Sequence, residues 1–164
     1  METQPERAIN IFMSYAQEDK DLKRELDNHL TALKGSGQVA QFVERRVEPD
    51  GNWSEVVDPR LSTSDIYLIL LSANLMGSGY CSGAEFNQAL ERLKAGQARL
   101  VPIVVRRIDL EGTPLVPFQD LPGTYDGRAR WKPVTAWADR DEAWWRVVRG
   151  IRQIVDDLRH SPHV

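Results

Sequence analysis

Short apolar runs separated by longer amphipathic stretches make up most of this chain. Three runs are almost wholly apolar, which is typical of strands buried inside a sheet: "AINIFMSY" (8–15), "DIYLILLS" (65–72) and "RLVPIVVRR" (99–107). Two weaker runs, "QVAQFVERRV" (38–47) and "WKPVTAW" (131–137), predict a second and a last strand. Five strands are therefore expected.

Apolar residues with helical spacing lie between these runs. Leucines recur every three or four residues from Leu22 to Leu33, and Gly35 ends that predicted helix. A short helix containing Pro59 is expected at 53–63, and a longer one runs from the "GYCSGAEF" region to about residue 95. An apolar stripe between residues 144 and 158 predicts the closing helix.

Strands and helices alternate, and right-handed crossovers then give a parallel sheet with helices on both faces. The predicted fold class is α/β: a flavodoxin-like three-layer sandwich with a five-stranded parallel sheet of order 2-1-3-4-5. Such sheets bind ligands at the carboxyl ends of the strands, where the order reverses between the first and third. The loops at 14–19 and 72–85 flank that point, so Glu85 is expected near Ser14 and Tyr15.

Length and composition fit one domain, expected at residues 8–158, with a flexible tail at 1–7 and a tail or linker at 159–164 that leads to a further domain. The formal net charge of −3 gives no electrostatic footprint for nucleic acid or an anionic membrane. Cys81 is the single cysteine, so an internal disulfide is excluded. Without a signal segment or a membrane-length apolar run, a soluble cytoplasmic protein is expected.

Several other site types find no support in the sequence. The three histidines, at positions 29, 160 and 163, are scattered, so no metal site is expected. The segment "KGSGQ" lacks the lysine and following helix of a phosphate-binding loop. A response-regulator receiver would need an aspartate after the third strand, where "LLSAN" stands. No cofactor is predicted.

Glu85 is open to two interpretations. Ser82 and Glu85 have the spacing of a capping box, in which the carboxylate binds backbone at the helix start and its charge suits the N-terminus. Sequence physics alone favours this capping role. A carboxylate is also what a cationic transition state requires, so a catalytic role is compatible with the same residue.

Five segments, taken in order, resemble motifs of bacterial Toll/interleukin-1 receptor (TIR) domains. The segments are "IFMSYAQEDK", the second-strand to third-strand stretch "FVERRVEPDGNWSEVVDPRLSTSDIYLILLS", the glutamate motif "SGYCSGAEFNQAL", "LVPIVV", and the closing "KPVTAW…DEAWWRVVRGI". The resemblance covers about residues 8–158. It implies a flavodoxin-like fold and self-association through TIR–TIR contacts.

The resemblance also implies an activity. Many bacterial members are NAD+ glycohydrolases that cleave the nicotinamide–ribose bond, giving nicotinamide and ADP-ribose or its cyclic form. They are often activated by assembly in antiphage defence, with a fused or separate sensor domain. Other members are non-catalytic adaptors that act by homotypic binding, and this second reading stays open.

The resemblance assigns Glu85 and the BB loop, and the substrate contacts are predicted around them. Glu85 matches the family's catalytic glutamate. The proposed substrate contacts are Phe12, Ser14 and Tyr15 along the nucleotide, Tyr80 and Cys81 on the ribose side, and Arg45 or Arg46 at the phosphates. The loop that the family uses in assembly, the BB loop, corresponds to Pro49, Asp50, Gly51 and Trp53.

Most of these residues also have a purely structural explanation. Phe12 fits a core position, Ser14 a helix cap with Gln17, Cys81 a small buried group, Arg45 and Arg46 solvated strand ends, and Trp53 packing on the short helix. Two positions depart from the family pattern. Cys81 stands where enzymatic members often carry tryptophan, and Asp50 separates Pro49 from Gly51, which are usually adjacent.

Overall fold

A computed structural model of the chain describes residues 7–49, 57–115, 118, 120–123 and 131–160. Within these ranges, four parallel strands form one sheet in the order β2-β1-β3-β4. The strands are β1 (Ile9–Ala16), β2 (Val39–Val47), β3 (Ile66–Leu71) and β4 (Arg99–Val104). The predicted α/β class and the order of the first four strands are confirmed.

Helices cover both faces of this sheet. They are α1 (Lys20–Lys34), α2 (Ala73–Gly77), α3 (Ala84–Lys94) and α4 (Arg140–His160), with 3-10 turns at Gln17–Asp19, Pro59–Thr63, Tyr80–Ser82 and Val134–Ala136. None of the helices in the described ranges has the length and apolarity needed to cross a membrane.

Alternation along β1 sends its side chains into two separate cores. Ile11, Met13 and Tyr15 pack with the apolar stripes of α1 and α4 on one face. Phe12 faces the opposite core, which contains Phe86 of α3 and apolar residues of β2 and β3. The candidate site belongs to this second face.

The expected fifth strand at 131–137 is wrong. That segment is a turn followed by the 3-10 helix Val134–Ala136, and Trp131 has a φ of 63°, outside the extended region. The place beside β4 is taken instead by Leu121, which donates to the Pro102 carbonyl and accepts from the Val104 amide, both at 2.9 Å. Within the described residues this contact is an isolated bridge and does not extend into a further strand.

Gly150 in α4 explains why Leu121 fits against this edge of the sheet. A Cβ atom built on Gly150 would lie 2.4 Å from Leu121 Cδ2, so any larger residue at this position would force the leucine to shift. The bridging leucine is buried between β4 and α4.

The helix expected from the "GYCSGAEF" region to about residue 95 is α3, and it begins later than expected, at Ala84. Gly79, with a φ of +84°, and the 3-10 turn Tyr80–Ser82 come before it. Helix α2 lies in the preceding segment, which is expected to be a loop. Of the short helix expected at 53–63, the described part is the 3-10 turn that Pro59 begins. Asp58 caps it by accepting from the Arg60 amide at 2.9 Å.

The adjacent tryptophans of α4 provide a matched test of the packing. Trp144 is fully buried and its Nε1 donates to Glu25 Oε1 at 3.0 Å, whereas Trp145 is 52% exposed. We expect Trp144→Ala to lower the free energy of unfolding by about 3–5 kcal/mol because it leaves a large cavity. Trp145→Ala should change it by about 0.5 kcal/mol or less. Urea denaturation measures both, and equal losses would contradict this packing.

Candidate functional site

The register between β1 and β2 creates one wall of the candidate site. Ser14 of β1 lies directly beside Arg45 of β2. Both are near the carboxyl ends of their strands, and their side chains point to the face that carries α3, where both make contacts to Tyr80 or Glu85. Two polar residues on this face therefore meet the start of α3.

Glu85 lies in the first turn of α3, and only 2% of it is exposed. Its Oε1 accepts from Tyr80 Oη at 2.7 Å and from Arg45 Nε at 3.0 Å. Its Oε2 accepts from Arg45 Nη2 at 2.7 Å and from the Asp58 backbone amide at 3.2 Å, with Arg45 Nε also 3.2 Å away. Both carboxylate oxygens are thus occupied by hydrogen-bond donors in this state.

The capping-box interpretation of Glu85 is wrong. Helix α3 begins at Ala84 with Gly83 as its N-cap, and Gly83 has extended backbone. Ser82 lies in the preceding 3-10 turn, where its hydroxyl donates to the Gly79 carbonyl at 2.9 Å. Glu85 therefore reaches across to β2 instead of turning back to its own helix.

A buried hydroxyl chain supports the carboxylate. Ser14 Oγ lies 2.7 Å from Tyr80 Oη, and the tyrosine donates its single proton to Glu85. Ser14 must then be the donor to the tyrosine. Burial, followed by the nearby Glu85 charge, raises the pKa of Tyr80 well above its ordinary value, so the phenol stays protonated. The alternative in which Ser14 caps the next helix is wrong, because Ser14 lies inside β1.

Arg45 and Arg46 lie on opposite sides of β2, as strand alternation requires. The Arg45 side chain is 23% exposed and paired with Glu85, and that hydrogen bonding raises the pKa of Arg45. Arg46 is 56% exposed and its Nε lies 2.9 Å from Glu48 Oε1. Only the first arginine joins Glu85, and it does so as a partner of the carboxylate, not as a solvated strand end.

The other predicted contacts are placed differently. Phe12 is buried in the core beside Tyr67, with ring centroids 6.2 Å apart. Tyr15 lies on the opposite face of the sheet, where Lys23 Nζ sits 5.3 Å from its ring centre, so the structure does not bring it to Glu85. Cys81 is half-buried between Tyr80 and the start of α3.

Of the four predicted BB-loop residues, the structure describes only Pro49. Pro49 follows β2 as an exposed turn residue. The expectations for Asp50, Gly51 and Trp53 fall outside the described residues.

A second polar cluster at the same edge of the sheet was not foreseen from the sequence. Asp19 is fully buried and accepts from the Ser72 hydroxyl, from Asn74 Nδ2 at 3.0 Å and from Arg106 Nε at 2.8 Å. These residues follow β1, β3 and β4, so the cluster ties three strand ends together. The available signal was the acid, serine and arginine that directly follow the three strands.

Comparison with known proteins places the chain in a family. The sequence profile of the TIR domain family matches residues 11–146, so the chain belongs to that family. It is also similar to the uncharacterized protein y4lF of Sinorhizobium fredii, with 33% identity over 144 residues, 88% of this chain. The matched region is 43% of that relative, so the chain spans less than half of its length. No solved structure gives a significant match.

Among the described residues, no group of three histidine, cysteine or acidic side chains is arranged to hold a metal ion. The chemistry available at Glu85 is that of a carboxylate with fixed donors around it. Such a group can stabilise positive charge or accept a hydrogen bond from a substrate hydroxyl.

Removing the Tyr80 hydroxyl tests the hydroxyl chain. We expect Tyr80→Phe to lower the free energy of unfolding by about 1–3 kcal/mol, because Ser14 and Glu85 each lose a buried partner. Tyr15→Phe is the control, since the described polar contact of Tyr15 is made by its ring face. Its effect should stay within about 0.5 kcal/mol. Equal effects in urea denaturation would contradict a stabilising role for the chain.

The Cys81 thiol should react slowly with alkylating reagents in the folded protein. Burial raises the pKa of its thiol to about 12, so little reactive thiolate exists near pH 8. We expect alkylation by iodoacetamide at that pH to be about 10²-fold slower than in denatured protein. Alkylation at the denatured rate would show that the thiol is not shielded.

Proposed function

We propose that this TIR domain is an NAD+ glycohydrolase in which Glu85 is the catalytic carboxylate. The observation that carries the proposal is the position of Glu85: a buried carboxylate in the family's glutamate motif, held by Arg45 and Tyr80 near the carboxyl ends of β1 and β2. Sheets of this topology bind nucleotides at that edge.

One carboxylate is sufficient for this reaction. Nicotinamide is attached as a pyridinium cation, and the electron pair of the breaking carbon–nitrogen bond passes to the ring nitrogen. It leaves as a neutral molecule and needs no proton, unlike the leaving group of ordinary glycoside hydrolysis. Glu85 would stabilise the oxocarbenium-like ribose and orient its hydroxyls. Attack of water on the ribose carbon then gives linear ADP-ribose, and attack by a nucleophile of the same ADP-ribose group gives the cyclic form.

The residues joined to Glu85 define the substrate side of the proposal. Arg45 holds the carboxylate in the state described, and Arg46, which is 56% exposed on the same strand, is the cation proposed to meet the phosphates of the dinucleotide. Tyr80 donates to Glu85 and is itself bound to Ser14, so these two residues would hold the carboxylate in position. Cys81 would contribute a neutral wall on the ribose side, consistent with its raised pKa.

Assembly is part of the proposed function. Self-association through TIR–TIR contacts would activate the enzyme, with NAD+ loss serving bacterial antiphage defence. A sensor domain, fused or separate, would trigger the assembly.

A non-catalytic adaptor is the second candidate, and one observation favours it. Glu85 is nearly inaccessible, and both of its oxygens already accept hydrogen bonds from the protein. A carboxylate used only to fix α3 against β2 would look the same. In that case, homotypic TIR binding would be the function.

NAD+ cleavage by Glu85→Gln distinguishes the two. We expect the variant to lose about 10²-fold or more of the nicotinamide release measured with concentrated or crowded wild-type protein, since an amide cannot stabilise the cation as a carboxylate does. Glu91→Gln, an exposed position on the same helix, should retain the wild-type rate.

The melting temperature of each variant must be measured with the rate, because Glu85→Gln also removes an ion pair. Intact NAD+ after prolonged incubation with assembled wild-type protein would favour the adaptor. A fully active Glu85→Gln would show that another group performs the chemistry.

A further inference from the structure

We propose that Arg45 is an autoinhibitory latch: its ion pair with Glu85 holds the site closed, and the guanidinium must move away before a ribose can reach the carboxylate. The latch is defined as the contact between the Arg45 guanidinium and the Glu85 carboxylate. This inference concerns regulation and rests on the proposed function of Glu85.

The acceptor positions of the Glu85 carboxylate are already occupied. A carboxylate offers about four lone-pair positions for hydrogen bonds. Four donor groups occupy them: the Tyr80 hydroxyl, Nε and Nη2 of Arg45, and the Asp58 amide. A substrate hydroxyl can bind Glu85 only by displacing one of these donors.

The donors around Glu85 differ in how firmly the protein holds them. Tyr80 is buried and is itself held by Ser14. The Asp58 amide belongs to backbone fixed by the cap of the Pro59–Thr63 turn. Arg45 lies on β2, an outer strand of the described sheet, at the end of a long side chain that is 23% exposed. Arg45 is therefore the donor that can move without displacing a buried side chain or a backbone amide.

Departure of Arg45 would free acceptor positions on the carboxylate. The side chain of Glu85 is 2% exposed and that of Arg45 is 23% exposed, so Arg45 is the member of the pair whose side chain reaches solvent. This movement would free the two acceptor positions that Nε and Nη2 occupy. It leaves Tyr80 and Asp58 in place to orient the carboxylate.

A direct test uses Arg45→Ala, with Arg99→Ala as the matched control. Arg99 is an exposed arginine on β4, which lies at the edge of the described sheet opposite to β2. The first readout is carbodiimide labelling of carboxylates in dilute protein, mapped by mass spectrometry, with exposed Glu91 as the internal reference. The second is NAD+ cleavage by the same dilute protein.

The latch predicts a rise in both readouts for Arg45→Ala. Labelling of Glu85 relative to Glu91 should increase about tenfold or more, and the cleavage rate of dilute protein should rise toward that of assembled wild-type protein, because the open state no longer competes with a closed one. Arg99→Ala should match wild type in both.

Three other results would separate the latch from the proposed enzyme activity. Unchanged Glu85 labelling in Arg45→Ala overturns the latch whatever the activity. Increased labelling with cleavage lost in both dilute and assembled protein also overturns it, and shows that Arg45 serves the substrate instead. Increased labelling while neither wild type nor variant cleaves NAD+ in any state confirms that Arg45 shields Glu85 but counts against the proposed enzyme.

A second variant keeps the test valid if Arg45→Ala does not fold. Arg45→Lys retains the positive charge but cannot make the two-pronged contact through Nε and Nη2. We expect its Glu85 labelling to fall between wild type and the alanine variant. Labelling at the wild-type level in the folded lysine variant would contradict a latch formed by the guanidinium.

Discussion

The contact between Arg45 and Glu85 is the interaction on which the candidate site depends. It joins β2, an outer strand, to the first turn of α3, beside the apolar core of that face. A buried carboxylate is costly unless it is paired and hydrogen-bonded. Arg45, Tyr80 and the Asp58 amide together satisfy that requirement, so Glu85 can remain in the interior near the carboxyl ends of the strands, where open α/β sheets bind ligands.

The same contact explains why structure and function are hard to separate here. A group that fixes α3 against the sheet and a group that stabilises an oxocarbenium ion both need a carboxylate in a defined position. What differs is access. An enzyme must release at least one acceptor position to its substrate, whereas a scaffold keeps all of them filled. The state described has them filled, which is why the proposed enzyme requires an opening movement at Arg45.

Much of the fold could be predicted from the sequence because the strongest patterns are decided by burial. The strand at 66–71 has all six residues buried, and the stripe of α4 packs as its spacing indicated. The strand predicted at 131–137 failed because its evidence was weak: Pro133 interrupts it and Leu121 from a different segment fills the place beside β4. Competition between distant segments for one edge position cannot be read from local pattern.

The candidate site, like the fold, could be predicted only in part from the sequence. The motif identified Glu85, and the strand order correctly brought Ser14 towards it through Tyr80. The pairing of Arg45 with Glu85 depends on the register between β1 and β2, which the sequence does not specify. The spacing of Ser82 and Glu85 suggested a helix cap that does not form. Alternation along β1 could have excluded Tyr15 from the site, because it must face away from Ser14.

The most direct measurement is an experimental structure of the assembled protein with a non-cleavable NAD+ analogue. We predict a ribose hydroxyl within hydrogen-bond distance of Glu85, and Arg45 Nη2 displaced from the 2.7 Å contact that it makes here. An assembled structure in which the analogue lies elsewhere and the Arg45–Glu85 pair is intact would contradict both the catalytic role of Glu85 and the latch.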